Sequence, residues 1–99
     1  MHLRPVDRER LLTCFHQVFH GDASLWAYGS RVKNTSHDAS DLDLVLVPID
    51  SSSLPGHKIS EFRKLLQESP IPFLVQVQNW SILPESFRKQ ILAEKVRLA

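Results

Sequence analysis

Ninety-nine residues give room for a single domain, 1–99, with one modest core. Apolar residues make up 42% of the chain and charged residues 23%, the balance of a globular soluble protein and not of a disordered or membrane-spanning one. A net charge of +1 argues against nucleic-acid or membrane binding by bulk electrostatics, and a lone cysteine, Cys14, excludes an intrachain disulfide.

The chain opens with a predicted helix. Pro5 suits a first helical turn, and Asp7 and Glu9 suit the positive end of the helix dipole. Leu11, Leu12, Phe15, Val18 and Phe19 recur at helical spacing, with Cys14 read as a small core residue and Gly21 as the C-cap. His16 and His20 lie four apart in HQVFH, which is similar to the zinc-protease pattern HExxH. Gln17 replaces the general-base Glu there, and these histidines are read as exposed helix residues. Ser24 to Tyr28 is a short strand that delivers Gly29-Ser30. Arg31-Val32-Lys33 makes one helical turn, and Asn34 to Ser40 is a polar loop. Asp41 to Val47 is the second strand, closed by Pro48, and a loop runs to Lys58.

Ile59, Phe62, Leu65 and Leu66 mark a second full helix with Ser53 or Ser60 as cap, broken by Ser69-Pro70-Ile71-Pro72. Phe73 to Gln78 is a third strand, with Phe73, Val75 and Val77 on one face and Gln76 and Gln78 on the other. A last helix starts near Pro84, capped by Ser81, with Phe87, Ile91 and Leu92 inward. This order predicts an α/β domain with a small three-stranded mixed sheet and helices mainly on one face. Trp26 and Trp80 are expected in the core or at its rim. Lys33, Arg63, Lys64, Arg88 and Lys89 are scattered and read as solvated surface, so direct nucleic-acid binding is not expected. The N-terminus has no apolar signal core and no apolar run reaches membrane length, so the cytoplasm is the expected address.

The chemistry concentrates between Gly29 and Leu44. Asp41 and Asp43 are two apart at a strand start and so share one face. Two acids at the edge of an apolar strand cost stability unless balanced, and a divalent metal is the usual remedy. Gly29-Ser30 upstream can offer backbone N–H groups and a hydroxyl to a phosphate. Acids for a metal together with a phosphate-holding turn point to nucleotide chemistry.

Gly29-Ser30, ten residues, then Asp41-Leu42-Asp43 resembles the signature of the DNA polymerase β-type nucleotidyltransferases. The short length and the ending Val75 to Trp80 with Ser86-Phe87-Arg88 look like the minimal nucleotidyltransferases, the MNT antitoxins of HEPN/MNT toxin–antitoxin systems. The resemblance implies a polymerase β-like fold and ATP as substrate. It further implies two Mg²⁺ ions on Asp41 and Asp43, Gly29 and Ser30 cradling phosphate, and Arg31 as a phosphate or partner contact. The implied reaction moves AMP onto a tyrosine hydroxyl of a HEPN RNase partner, disabling it.

One position departs from the pattern. Family members carry a third carboxylate on the next strand, where this chain has Gln76, which is neutral and cannot accept a proton as a carboxylate does. Asp50 is too far along the strand to replace it, Gln78 is also neutral, and Asp38 in the preceding loop could swing in. The alternative implied by Gln76 is an MNT protein that neutralises its partner by binding alone. A nucleotidyltransferase with another acceptor, such as a tRNA 3′ end, is the third reading.

Overall fold

A computed structural model describes residues 1–37, 40–50 and 53–99. Helix α1 spans Pro5–Val18. Arg4 is extended, Pro5 occupies the first turn, where a missing N–H costs nothing, and Asp7 lies at the positive end of the dipole. The helix stops at Phe19, whose backbone is extended, so Gly21 is not the C-cap. Gly21, at φ +87°, instead serves the left-handed bend that leads into the sheet.

Strand β1 (Ala23–Tyr28), strand β2 (Leu42–Pro48), helix α2 (Gly56–Glu68), strand β3 (Val75–Asn79), helix α3 (Glu85–Glu94) and strand β4 (Val96–Arg97) follow, with a 3₁₀ turn at Trp80–Ile82. The sheet order is β3-β2-β1-β4. The β1–β2 and β1–β4 pairs are antiparallel, and β2–β3, joined through α2, is parallel. The sheet is mixed, as expected, but has four strands instead of three. β4 has two residues, too few to show a period-two pattern, and it exists because β1 offers a free edge. There the Leu98 N–H donates to the Leu25 carbonyl at 2.8 Å and the Leu25 N–H to the Ala99 carbonyl at 2.9 Å.

The strands alternate between two cores. Leu25 and Ala27 of β1, Leu42, Leu44 and Leu46 of β2, and Val77 of β3 face α1 and α2, where they join Leu11, Phe15, Phe19, Phe62 and Leu66. The Phe15 and Phe19 rings stack at 5.2 Å, and both meet Phe62 edge-on at 6.0 Å. On the opposite face Tyr28, Val45 and Ile91 are buried, flanked by Trp26, Val47, Trp80, Leu83 and Phe87. Trp26 and Trp80 meet edge-on at 5.4 Å, so both are rim residues of this second core. Two helices thus cover one face, and α3 covers the other.

The expected serine caps are absent. Helix α2 starts behind Pro55 and α3 behind Pro84, neither with a side-chain cap bond. The Ser81 N–H donates to Asn79 Oδ1 at 3.1 Å inside the 3₁₀ turn, so Ser81 belongs to that turn. Proline at these cap positions fixes φ and removes a donor before the helix begins.

Candidate active site

The site lies where β1 ends and β2 begins. Tyr28 pairs with Asp43 in the antiparallel ladder, which sets Gly29, the next residue, against the Asp43 side chain. Gly29 has φ +83°, and a Cβ there would collide with the Asp43 carboxylate oxygen and come within 3.3 Å of its Cγ. Two independent demands, backbone conformation and space, therefore select glycine at this one position.

Behind Gly29 the chain coils once. The Val32 and Lys33 N–H groups both donate to the Gly29 carbonyl at 3.1 Å, and the Thr35 N–H donates to the Ser30 carbonyl at 3.0 Å. This is the single helical turn expected from Arg31 to Lys33, and it ends on Asn34 in the left-handed region at φ 59°. Asp41 stands exposed just before β2, and Asp43 is half-buried one step inside it on the strand face turned toward α3.

Electrostatics mark Asp43 as under-compensated. Burial pushes the Asp43 carboxyl above its ordinary range, and the neighbouring carboxylates of Asp41 and Glu94 push the same way. Tyr28, 7% exposed, is pushed up to about 12, chiefly by burial and then by Asp43 and Glu94. Among the described residues no group of three His, Cys, Asp or Glu side chains stands ready to hold a metal. Two neighbouring carboxylates beside an open Gly-Ser turn nevertheless suit Mg²⁺, which binds through one or two carboxylates and takes its other ligands from phosphate and water.

The parallel register sets Gln76 of β3 directly beside Asp43, on the same face and exposed to solvent. Arg31 takes a different place from the phosphate or partner contact expected of it. It is 3% exposed, its Nε donates to the Ser40 carbonyl at 2.9 Å, its Nη1 donates to the His2 carbonyl at 3.0 Å, and its guanidinium lies 3.9 Å over the Phe73 ring. These contacts make it a tie between the N-terminal segment, the loop and the approach to β3. Because His2 also donates its backbone N–H to the Arg31 carbonyl at 2.7 Å, the N-terminal segment fastens the start of the loop.

Glu94, the last residue of α3, enters the site although it lies 65 residues from Gly29. The Gly29 N–H donates to Glu94 Oε1 at 2.9 Å, and Lys33 Nζ pairs with Glu94 Oε2 at 3.1 Å. No spacing rule could have found Glu94, which is one acid at a helix end. Lys33 was readable only as a scattered surface cation.

The other candidates fall outside. Asp38 lies outside the described residues. Asp50 is exposed beyond Pro48, at the far end of β2. Helix α1 ends at Val18, so His20 is past it and His16 and His20 do not share a helix face. Cys14 is buried, and burial pushes its thiol up, away from the reactive thiolate.

Residues 8–98 match the nucleotidyltransferase domain family. A 70-residue stretch is 34% identical to "Probable protein adenylyltransferase MntA" of Haemophilus influenzae, covering 71% of this chain and 60% of that protein. The chain therefore spans less than two thirds of that relative's length. Two solved structures share the fold. One is a toxin–antitoxin complex with AMP-PNP, at TM-score 0.74 and 15% identity over 94% of this chain and 73% of the other. The second is a tri-AMPylated Shewanella oneidensis HEPN toxin in complex with an MNT antitoxin, at TM-score 0.69 and 12% identity over 98% of this chain and 72% of the other. The sheet, the Gly-Ser turn and the aspartate pair thus sit within a match that runs nearly end to end, and the chain belongs to the nucleotidyltransferase domain family.

Proposed function

We propose that this chain is an MNT-type antitoxin that transfers AMP from ATP, with Mg²⁺, to a tyrosine hydroxyl of a HEPN RNase partner in the cytoplasm. The observation that carries the reading is Asp43 set against the Gly29-Ser30 turn, with the Asp41 carboxylate close enough to act on it. The relative named an adenylyltransferase and the fold shared with toxin–antitoxin complexes, one with an AMPylated HEPN toxin, support AMP transfer and the partner. Among the described residues no helix is long and apolar enough to cross a membrane.

In the reaction the acceptor phenol oxygen attacks the α-phosphorus of ATP. An O–P bond forms as the bond from the α-phosphorus to the bridging oxygen breaks. Pyrophosphate leaves with the electron pair, and the phenolic proton passes to solvent or to a nearby carboxylate. Asp41 and Asp43 would hold Mg²⁺, which offsets phosphate charge and lowers the pKa of the attacking hydroxyl. Ser30 offers its amide and hydroxyl to the phosphates, and Lys33, held at the turn, adds a positive charge beside them. Tyr28 is 7% exposed with its phenol raised to about 12, which withdraws the chain's own tyrosine from competition as acceptor.

The test is incubation with ATP labelled at the α-phosphate, Mg²⁺ and the HEPN partner. Label is expected on a partner tyrosine, and it should vanish with Asp41→Asn, Asp43→Asn. Gln76 in the register position beside Asp43 favours a second reading, neutralisation by binding alone. Suppressed toxicity with no label, unchanged by the double substitution, would select that reading.

A further inference from the structure

We infer that Glu94 is a positioning residue of this site: its carboxylate fixes the Gly29-Ser30 turn and holds Lys33 at the end of that turn. Gly29 is then structural, and the amides left to phosphate begin at Ser30. The inference rests on the nucleotide-binding reading proposed above, which it sharpens by dividing the turn into a held residue and an offered one.

Three observations carry it. One carboxylate grips both ends of the coil, the Gly29 N–H at 2.9 Å and Lys33 Nζ at 3.1 Å, so the turn is pinned at its first and last residues. Glu94 is 14% exposed while Lys33 is 48% exposed, so the acceptor is sheltered and the cation it holds still reaches solvent, where a triphosphate would arrive. Finally, Glu94 is itself anchored. It ends α3, the following Lys95 N–H donates to the Ile91 carbonyl at 2.8 Å, and β4 then pairs with β1 through Ala27–Val96 and Trp26–Arg97. The strand that delivers Gly29 and the segment that delivers Glu94 are therefore neighbours in one sheet, and the bond between them closes a rigid frame. A charge-assisted bond to a sheltered amide is among the stronger single contacts in a small protein.

A carboxylate already on the Gly29 amide also changes what Gly29 can do. A donor engaged at 2.9 Å by an anchored anion is not free for a second anion. The Asp43 collision and the positive φ explain why glycine is needed there without any appeal to phosphate.

The chain has 3 glycines, so protein labelled with ¹⁵N-glycine gives one resolvable amide signal from each of Gly21, Gly29 and Gly56. In the wild type the Gly29 signal is expected to stand downfield and to stay there when Mg²⁺ and ATP are added. Glu94→Ala should move it upfield and weaken ATP binding about tenfold, as befits loss of one charge-assisted bond. Glu94→Gln keeps an oxygen acceptor, so it should hold the Gly29 signal near its wild-type place and restore most of the affinity. This readout survives should Glu94→Ala fold poorly. A Gly29 signal indifferent to Glu94→Ala, or one that leaves its downfield place as ATP binds the wild type, would overturn the inference. Wild-type protein that shows no binding of ATP by calorimetry, yet whose Gly29 signal still follows Glu94, would instead sink the nucleotide reading and leave the frame standing.

Discussion

The two faces of the sheet are built from the same strands and do opposite things. On the α1 and α2 side, Leu42, Leu44 and Leu46 of β2 are all 0% exposed and meet the Phe15, Phe19 and Phe62 rings. On the α3 side, alternate residues of the same strand read Asp43, Val45, Val47, and only Val45 is fully buried. One face excludes water from Leu42 through Leu46. The other is packed under α3 and opens where that helix ends at Glu94, which is where the acids begin. Strand alternation thus separates the residues that specify the fold from those that carry the chemistry, one residue apart. Changes at neighbouring positions of β2 should therefore fall into different classes.

The sharpest test of that separation pairs Asp43 with Leu44. Asp43→Asn should lower AMP transfer by about 10³-fold, the equivalent of several kcal/mol of charge stabilisation at the phosphates. Its thermal midpoint should hold or rise, because the substitution removes a half-buried charge that Asp41 and Glu94 both repel. Leu44→Ala should do the reverse. Emptying a fully buried leucine position costs about 2–5 kcal/mol of stability. The protein that remains folded at low temperature should retain transfer. Chemical denaturation alongside a single-turnover transfer assay checks both. A Leu44→Ala protein that is stable but inactive would break the separation of the faces.

Gln76→Asp tests the chemical face from the adjoining strand. The register puts the new carboxylate beside Asp43, on an exposed position where its own desolvation is small. A positioned base contributes 10²–10⁴-fold, and a grafted one is expected to recover about 10–100-fold in transfer rate. Like charges side by side on a sheet should cost a few tenths of a kcal/mol. A gain in rate with a slight loss in stability would mark Gln76 as the position that limits catalysis.

Much of this was legible in the sequence, and most of what was not shares one cause. Local patterns, the period-two strands, the helical spacing of Leu11, Phe15 and Val18, and the Gly-Ser to Asp-x-Asp spacing, were readable because neighbours in sequence remain neighbours in space. β4 and Glu94 were not, because both depend on α3 returning the chain to the free edge of β1. Arg31 was misleading for the same reason. Beside a Gly-Ser turn it suggests a phosphate or partner contact, but the His2 and Ser40 carbonyls and the Phe73 ring draw it inward. The missing serine caps show a different failure, since proline at the helix entrance can define a start with no side-chain bond at all.

Ion pairs on the fold-specifying side should give smaller effects, visible mainly at low pH. Asp7 is buried, and the hydrogen bond from Arg4 Nε, at 2.8 Å, holds its carboxyl below the ordinary 3.8, with Arg4, Arg10 and Arg31 charges assisting against the opposing cost of burial. A carboxyl whose pKa is lower folded than unfolded contributes stability that is complete above its unfolded value, and is lost as pH falls through the folded one. Stability should therefore decline below about pH 4. Asp7→Asn should cost about 1 kcal/mol at neutral pH and flatten that acid slope. Urea midpoints measured from pH 2 to 7 would show it, and an unchanged slope would remove Asp7 from the account of acid sensitivity.

The smallest effect should come from Asp22 and Lys58, which join the approach to β1 to the first turn of α2 at 2.9 Å. A lysine in a first turn opposes the helix dipole, and α2 has neither a side-chain cap nor an acid there. Asp22 offsets that charge from outside the helix. The Lys58 bond holds its carboxyl below the usual range, so this contribution too disappears in acid. Both side chains are partly exposed, so solvent and salt screen the pair, and Asp22→Asn should cost about 0.2–1 kcal/mol in dilute buffer and less at 1 M salt. Lys58→Gln should cost less still, because it removes the opposing charge together with its partner's bond. If Lys58→Gln instead cost as much as Asp22→Asn, the pair would be acting through packing of the lysine stem near Phe19, where Nζ lies 5.9 Å from the ring, and not through charge.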